Sequence, residues 1–236
     1  MKRLLLCLAA SLVSLSAVAG DVNVGNLTTQ GEFRQLTEDL GAALSYKPLT
    51  PAAPLGVTGF DVGLAVTVTQ LKNGAVLSKA GAGDHSNLVV PTLRVNKGLP
   101  FDIDVGAMYA AVPGTDIRMW GGELRYALIA GNAALPAVGL RGSYTRLAGV
   151  SNLDFDTKGL DLSVSKGFAF FTPYAGVGRV WVSGTPSGNA ALSKESFGLY
   201  KAFAGINMNF GLVNLAFEGD RTGPAMTYGM KVGVRF

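Results

Sequence analysis

The chain carries one histidine, in Asp84-His85-Ser86-Asn87. An imidazole beside a hydroxyl has the parts for base-assisted nucleophilic attack. The spacing works against that use, because adjacent residues on an extended chain project to opposite faces. Gly81-Ala82-Gly83-Asp84 before the pair reads as loop. A catalytic set is recognised by geometry, so no residue is assigned a catalytic role and the chain is expected not to be an enzyme. For a metal, the carboxylate pairs Asp102 with Asp104 and Asp154 with Asp156 remain. Either has the chemistry to hold a hard cation, but salt-paired or solvated carboxylates are the plainer reading, and no metal site is assigned. Gly176 and Gly178 lack the strand-to-helix setting of a nucleotide loop, so no cofactor is expected.

The larger constellation is a set of ionisable residues that fall on one face of alternating segments. It comprises Asp61, Arg94, Asp102, Asp104, Glu123, Arg125, Arg141, Asp161, Lys201, Glu218, Asp220, Lys231 and Arg235. Two chemistries suit it: paired charges filling a narrow interior, or a polar path for a small solute. A selective pore ordinarily carries an excess of one sign, and here the signs are mixed. Buried charges must be paired or solvated, so a structural network is the first reading.

The elements that position these residues are strands. From Gly56 to Phe236 apolar and polar residues alternate, the period of a strand. In the last segment Met226, Tyr228, Met230, Val232, Val234 and Phe236 share one face, and Lys231 and Arg235 share the other. A slip of one residue would turn both cations outward, so the register is strongly specified. Three segments are less regular: Val89 to Val95 contains Pro91, Tyr174 to Val182 puts Arg179 with Trp181, and Leu199 to Phe210 is apolar on both faces. Counting them gives about ten strands, hence an all-β, antiparallel up-and-down transmembrane barrel with a short N-terminal helix. Turn signals at Asn96-Lys97-Gly98, Gly131-Asn132, Lys166-Gly167 and Asn209-Phe210-Gly211 alternate with longer links at 71–87, 112–116, 147–154 and 183–196. The final link, Thr222-Gly223-Pro224, is short. Mean hydropathy is +0.32 with 32 glycines, yet past the N-terminus no apolar run approaches the roughly 20 residues a membrane helix needs.

Residues 1–19 read as a cleaved signal peptide: Lys2 and Arg3, an apolar run from Leu4 to Val18, and Ala17-Val18-Ala19 before the expected cut. Cleavage removes Cys7, the single cysteine, and lowers the net charge from +4 to +2. Nothing in this balance suggests a nucleic-acid partner. Residues 20–55 are expected to form a periplasmic N-terminal segment. Thr29 and Glu32 suit a capping box, and Phe33, Leu36, Leu40 and Leu44 make a helical stripe, which Gly41 weakens. Pro48, Pro51 and Pro54 then impose an extended spacer. The stripe has four outlets: the periplasmic mouth, the lumen as a plug, the membrane surface, or a partner. A helix is about 10–12 Å across, which makes insertion among ten strands tight and favours the mouth or the inner-leaflet surface. Residues 56–236 form the barrel.

The signal, the glycine-rich strands and the ending Tyr228-Gly229-Met230-Lys231-Val232-Gly233-Val234-Arg235-Phe236 resemble bacterial outer-membrane β-barrel proteins, small porin-like members among them. The resemblance implies residence in the outer membrane. It also implies contact with outer-membrane lipid, and recognition of Tyr228, Met230, Val232, Val234 and Phe236 by the barrel-assembly machinery. Thr172-Pro173-Tyr174-Ala175-Gly176-Val177-Gly178 is similar to strands of such barrels. A structural barrel, or one that passes or captures a small apolar or amphipathic solute, is the expected function. The alternatives are a lipid-modifying enzyme of the same membrane and an adhesin-like surface barrel.

Overall fold

The computed structural model describes residues 23–82, 86–111, 116–150, 152–189 and 191–236. The signal segment and His85 lie outside the described residues. The described residues form ten antiparallel strands closed into one barrel. They are β1 (Phe60–Gln70), β2 (Asn87–Gly98), β3 (Ile103–Ala111), β4 (Arg118–Ile129), β5 (Ala137–Ala148), β6 (Leu153–Ser165), β7 (Phe171–Pro186), β8 (Glu195–Phe210), β9 (Val213–Thr222) and β10 (Ala225–Arg235). Each strand pairs with its sequence neighbours, and β1 closes on β10 with Asp61 opposite Arg235 and Val66 opposite Met230.

The alternation sorts side chains in or out. Leu64, Leu93, Leu124, Leu128, Leu160, Leu162, Val177 and Phe217 are exposed on the outer face. A water-soluble protein rarely shows so large an apolar surface, whereas a barrel facing lipid requires it. On β10 Tyr228, Val232 and Val234 are exposed, as is Phe236 just after it, while Lys231 is fully buried, the register given by the sequence pattern. Pro91 on β2 sits above Leu93, where pairing with β3 begins.

Two details of the links differ from the sequence reading. The first short turn is not at 96–98, which belong to β2, but at 99–102, where Phe101 and Asp102 both take positive φ. The links after β5 and β7 are shorter than the sequence spacing gives. Cross-strand pairing continues upward to Leu147 opposite Phe155 and Gly184 opposite Glu195.

The largest difference concerns the N-terminal segment. Helix α1 (Gln30–Leu44) starts with the expected capping box, the Thr29 side chain accepting from the Glu32 amide. It does not lie at the short-turn mouth or on the membrane surface. It is inserted in the barrel from the end with the longer links, and residues 23–55 make no separate unit. Phe33, Leu36, Leu40 and Leu44 are buried against inward-facing Val180, Val182, Met108, Met119, Phe155 and Leu199. The tight fit is achieved with glycine. A Cβ on Gly41 would stand 2.5 Å from a Val182 methyl, and one on Gly184 would stand 2.6 Å from the Thr37 methyl. The residue that weakens helix propensity is the one that lets the helix approach the wall.

Candidate functional site: a charged lumen around a threaded chain

Below α1 the chain runs without regular secondary structure through the lumen toward the short-turn end, where it enters β1. This stretch has no helix to satisfy its own amides and carbonyls, and a buried backbone group needs a partner. The barrel wall supplies them in sequence. Lys201 Nζ donates to the Tyr46 carbonyl at 2.8 Å, and Arg94 to that of Pro48 at 3.3 Å. Glu218 accepts from the Leu49 amide at 2.7 Å. Arg125 donates to the Pro51 carbonyl at 2.7 Å and the Thr50 hydroxyl at 2.9 Å. Ser165 Oγ accepts from the Ala52 and Ala53 amides, and Asp104 from that of Leu55 at 3.0 Å. The prolines reduce the donors that need such partners, since each lacks an N–H.

The same wall residues pair with one another. Arg125 Nε donates to Asp104 at 3.0 Å. Arg141 Nε lies 2.7 Å from Glu123, and Lys201 lies 3.3 Å from Asp161. At the β1–β10 seam Lys231 donates to both Asp61 oxygens, at 2.8 and 2.6 Å, and among the described residues neither side chain hydrogen-bonds to the threaded chain. Tyr174 donates to Glu218 at 2.8 Å.

Of the ionisable residues singled out in the sequence, Asp61, Arg94, Asp104, Glu123, Arg125, Arg141, Asp161, Lys201, Glu218, Asp220 and Lys231 are buried in the lumen. Arg235 sits at its lower rim, partly buried and 3.9 Å from Asp61. Asp102 is not among them. It is exposed in the 99–102 turn, because β3 begins only at Ile103 and the left-handed turn breaks the alternation. It therefore shares no face with Asp104. Asp154 pairs with Arg146 at 3.1 Å on the outside. Among the described residues no group of His, Cys, Asp or Glu gathers as a metal site would.

The sequence reading missed the groups contributed from within. Lys47 donates to Asp220 at 2.7 Å and to the Ala42 carbonyl at 2.7 Å, sealing the C-terminal end of α1. The Tyr46 ring lies 4.5 Å beneath the Arg94 guanidinium. Arg94 has no carboxylate partner among the described residues; the Pro48 carbonyl and the Tyr46 ring take that place, and the balanced signs of the inward set gave no sequence signal of it.

At the long-link end three links clasp α1 and the residues before it. Asp39 accepts from the amides of Lys72 and Asn73, the latter at 2.7 Å. Gln30 exchanges hydrogen bonds with the Ser193 backbone, and Arg34 pairs with Glu195 at 3.0 Å. Asn152 donates to Asn23 at 2.9 Å. Lys79 donates to Glu32, and that bond, aided by the Thr28 amide, holds the Glu32 carboxyl down at about 2.

A closed barrel with an apolar belt, a paired-charge interior and turns that are mostly short at one end defines a transmembrane β-barrel of the outer-membrane type. No protein-family model matches the chain, and no curated protein matches its sequence. Solved structures similar to it include the N-terminal β-barrel domain of Pseudomonas aeruginosa OprF. That match has 14% identity and a TM-score of 0.37, over 73% of this chain and 97% of that one. The attachment invasion locus protein Ail of Yersinia pestis matches at 12% identity and TM-score 0.35, over 75% and 97%. The translocator domain of the autotransporter NalP from Neisseria meningitidis matches at 11% and 0.38, over 94% and 100%. At such scores these likenesses decide nothing about what the chain does.

Proposed function

We propose that the chain is an integral protein of the bacterial outer membrane, exported by a cleaved signal peptide, whose barrel is sealed by its own N-terminal segment. Its role is that of a closed scaffold that presents the clasped links and its N-terminus at the cell surface. The carrying observation is the ladder of wall-to-backbone hydrogen bonds from Tyr46 to Leu55. Charges spent on holding a peptide are not a standing path for ions. Short turns face the periplasm in such barrels, so the threaded chain rises from the periplasmic end and residue 23 stands at the outer mouth. The outward residues Tyr228, Met230, Val232, Val234 and Phe236 suit recognition by the assembly machinery. Passage of a small solute would require the segment to leave, and lipid hydrolysis would have to rest on His85.

Planar-bilayer recording of the purified mature protein tests this reading. The expected result is silence from the wild type and stepwise conductance once residues 23–55 are deleted. Steady conductance from the intact protein overturns the seal. An epitope at residue 23 is expected to be reached by antibody on intact cells.

A further inference from the structure

The outer face holds charges that the barrel itself does not use. On β6 the outward row Leu160, Leu162 and Val164 is continued upward by Lys158, and on β7 Val177 is followed by Arg179 and Trp181, all exposed. Lys158 lies opposite Tyr144 on one side and Trp181 on the other, and Arg179 lies opposite Tyr200. Lys158 and Arg179 are thus diagonal neighbours, about 7–8 Å apart at their backbones.

Neither cation has a carboxylate within salt-bridge distance among the described residues. The acids of this face, Asp154 and Asp156, stand higher on β6, and Asp154 is taken by Arg146. Arg179 is nonetheless held in place. Its guanidinium lies 5.3 Å from the Tyr200 ring and 6.0 Å from that of Trp181. A Cβ on Gly198 would stand 2.5 Å from Arg179 Nε, so the glycine opens the bed in which the side chain rests. Tyr200 is 78% exposed and stands over the site, with Arg221 outward and exposed on β9 beyond it.

The height of this cluster identifies its surroundings. At the short-turn end Phe168, Phe170, Phe210 and Phe236 form an exposed aromatic ring, with Phe170 stacked on Phe210 at 5.5 Å. Counted along β7 from Phe171, Arg179 lies about 19 Å higher, at about 3.3 Å per residue and a tilt near 45°. The apolar band of such barrels is about 25 Å tall and ends in a second aromatic ring. Here Trp120, Trp181 and Tyr200 supply it. Arg179 and Lys158 therefore sit at the upper margin of the band, where acyl chains meet headgroups. Cations without a carboxylate partner at that depth call for anionic groups from the lipid.

We propose that Lys158 and Arg179, walled by Trp181 and Tyr200, form a binding site for the phosphate groups of an outer-leaflet lipid. The diagonal spacing lets each cation engage a different phosphate of a doubly phosphorylated headgroup, while the rings lie along the first carbons of its chains. The site rests on the outer-membrane reading above, and the two fail separately in the test.

Native mass spectrometry of the full mature protein in detergent provides that test. The probes are a lipid with a diphosphorylated disaccharide headgroup, the same lipid without phosphates, and inorganic phosphate. One phosphorylated lipid per barrel is expected to survive dilution. The unphosphorylated lipid is lost, and inorganic phosphate does not bind alone. K158A/R179A should reduce retention at least tenfold, and K158R/R179K should restore it. Equal retention by K158A/R179A, equal retention of the unphosphorylated lipid, or binding of inorganic phosphate alone overturns the proposal. Heat-modifiable gel mobility and insertion into vesicles are recorded on every variant. A variant that fails these is replaced by the single substitution R179A, for which the same loss is expected. Failure of the wild type to insert sinks the membrane reading instead.

Discussion

The upper and lower halves of the lumen solve the same problem by opposite means. Above, α1 satisfies its own backbone, so the wall around it is largely apolar, with Val180, Val182, Met119 and Phe155 in one cluster with Phe33 and Leu36. Below, residues 45–55 form no helix or strand and satisfy almost nothing themselves, so the wall there is Arg125, Lys201, Glu218 and Asp104. The polarity of a lumen position thus follows from the secondary structure of what fills it. A charged barrel interior is not by itself the mark of an ion path.

The comparison breaks most readily at a buried ion pair. Asp61→Ala leaves the Lys231 ammonium unpaired at the seam and is expected to cost about 3–5 kcal/mol in urea unfolding from lipid vesicles. Adding Lys231→Met should restore most of this, because the penalty lies in the orphaned charge. A double variant as unstable as the single one would show that the seam needs the pair for another reason. Since the pair makes no hydrogen bond to the threaded chain, the double variant should stay silent in a bilayer.

The upper half should answer to volume alone. Phe33→Ala removes a fully buried ring from α1, with an expected loss of about 3–5 kcal/mol by the same assay, unchanged between low and high salt. Gly41→Val drives a side chain into Val182 and is expected to cost about 1–3 kcal/mol. Intermittent conductance should appear as α1 is displaced. A silent, fully stable Gly41→Val would mean the helix has room the close contact denies.

The smallest effect is expected at the clasp. The Glu32 carboxyl is held at about 2 against an ordinary 4.5, mainly by Lys79. A value lowered on folding means that this contribution is complete above about pH 4.5 and lost as the pH falls toward 2. Limited proteolysis near residue 28, followed across that window with an acid-active protease, should show the N-terminal end loosening. Lys79→Ala should move the midpoint up toward the ordinary carboxylate range.

Much of this was legible in the sequence because strand and helix periods are local. The face shared by Tyr228, Val232 and Phe236, the burial of Lys231, the capping box at Thr29 and the inward set from Asp61 to Asp220 follow from spacing alone. Asp102 went astray because two left-handed residues in a turn reset the alternation, and no period reports φ. Leu199 to Phe210 is apolar on both faces for two reasons: inward Leu199 joins the cluster around the helix, and inward Phe203 lies against Tyr174 and Lys201.

What the residues determined by themselves was the list of parts: strands that alternate, a helix with one apolar stripe, and an extended proline-rich stretch. Where the stripe would bury itself was decided only in three dimensions. An apolar face is indifferent among apolar surfaces, and the winning surface is assembled from β6, β7, β8 and other strands distant in the chain. The partners of the charges were settled in the same way. Arg125 and Lys201 bind backbone carbonyls that come within reach only after the chain has passed through the barrel.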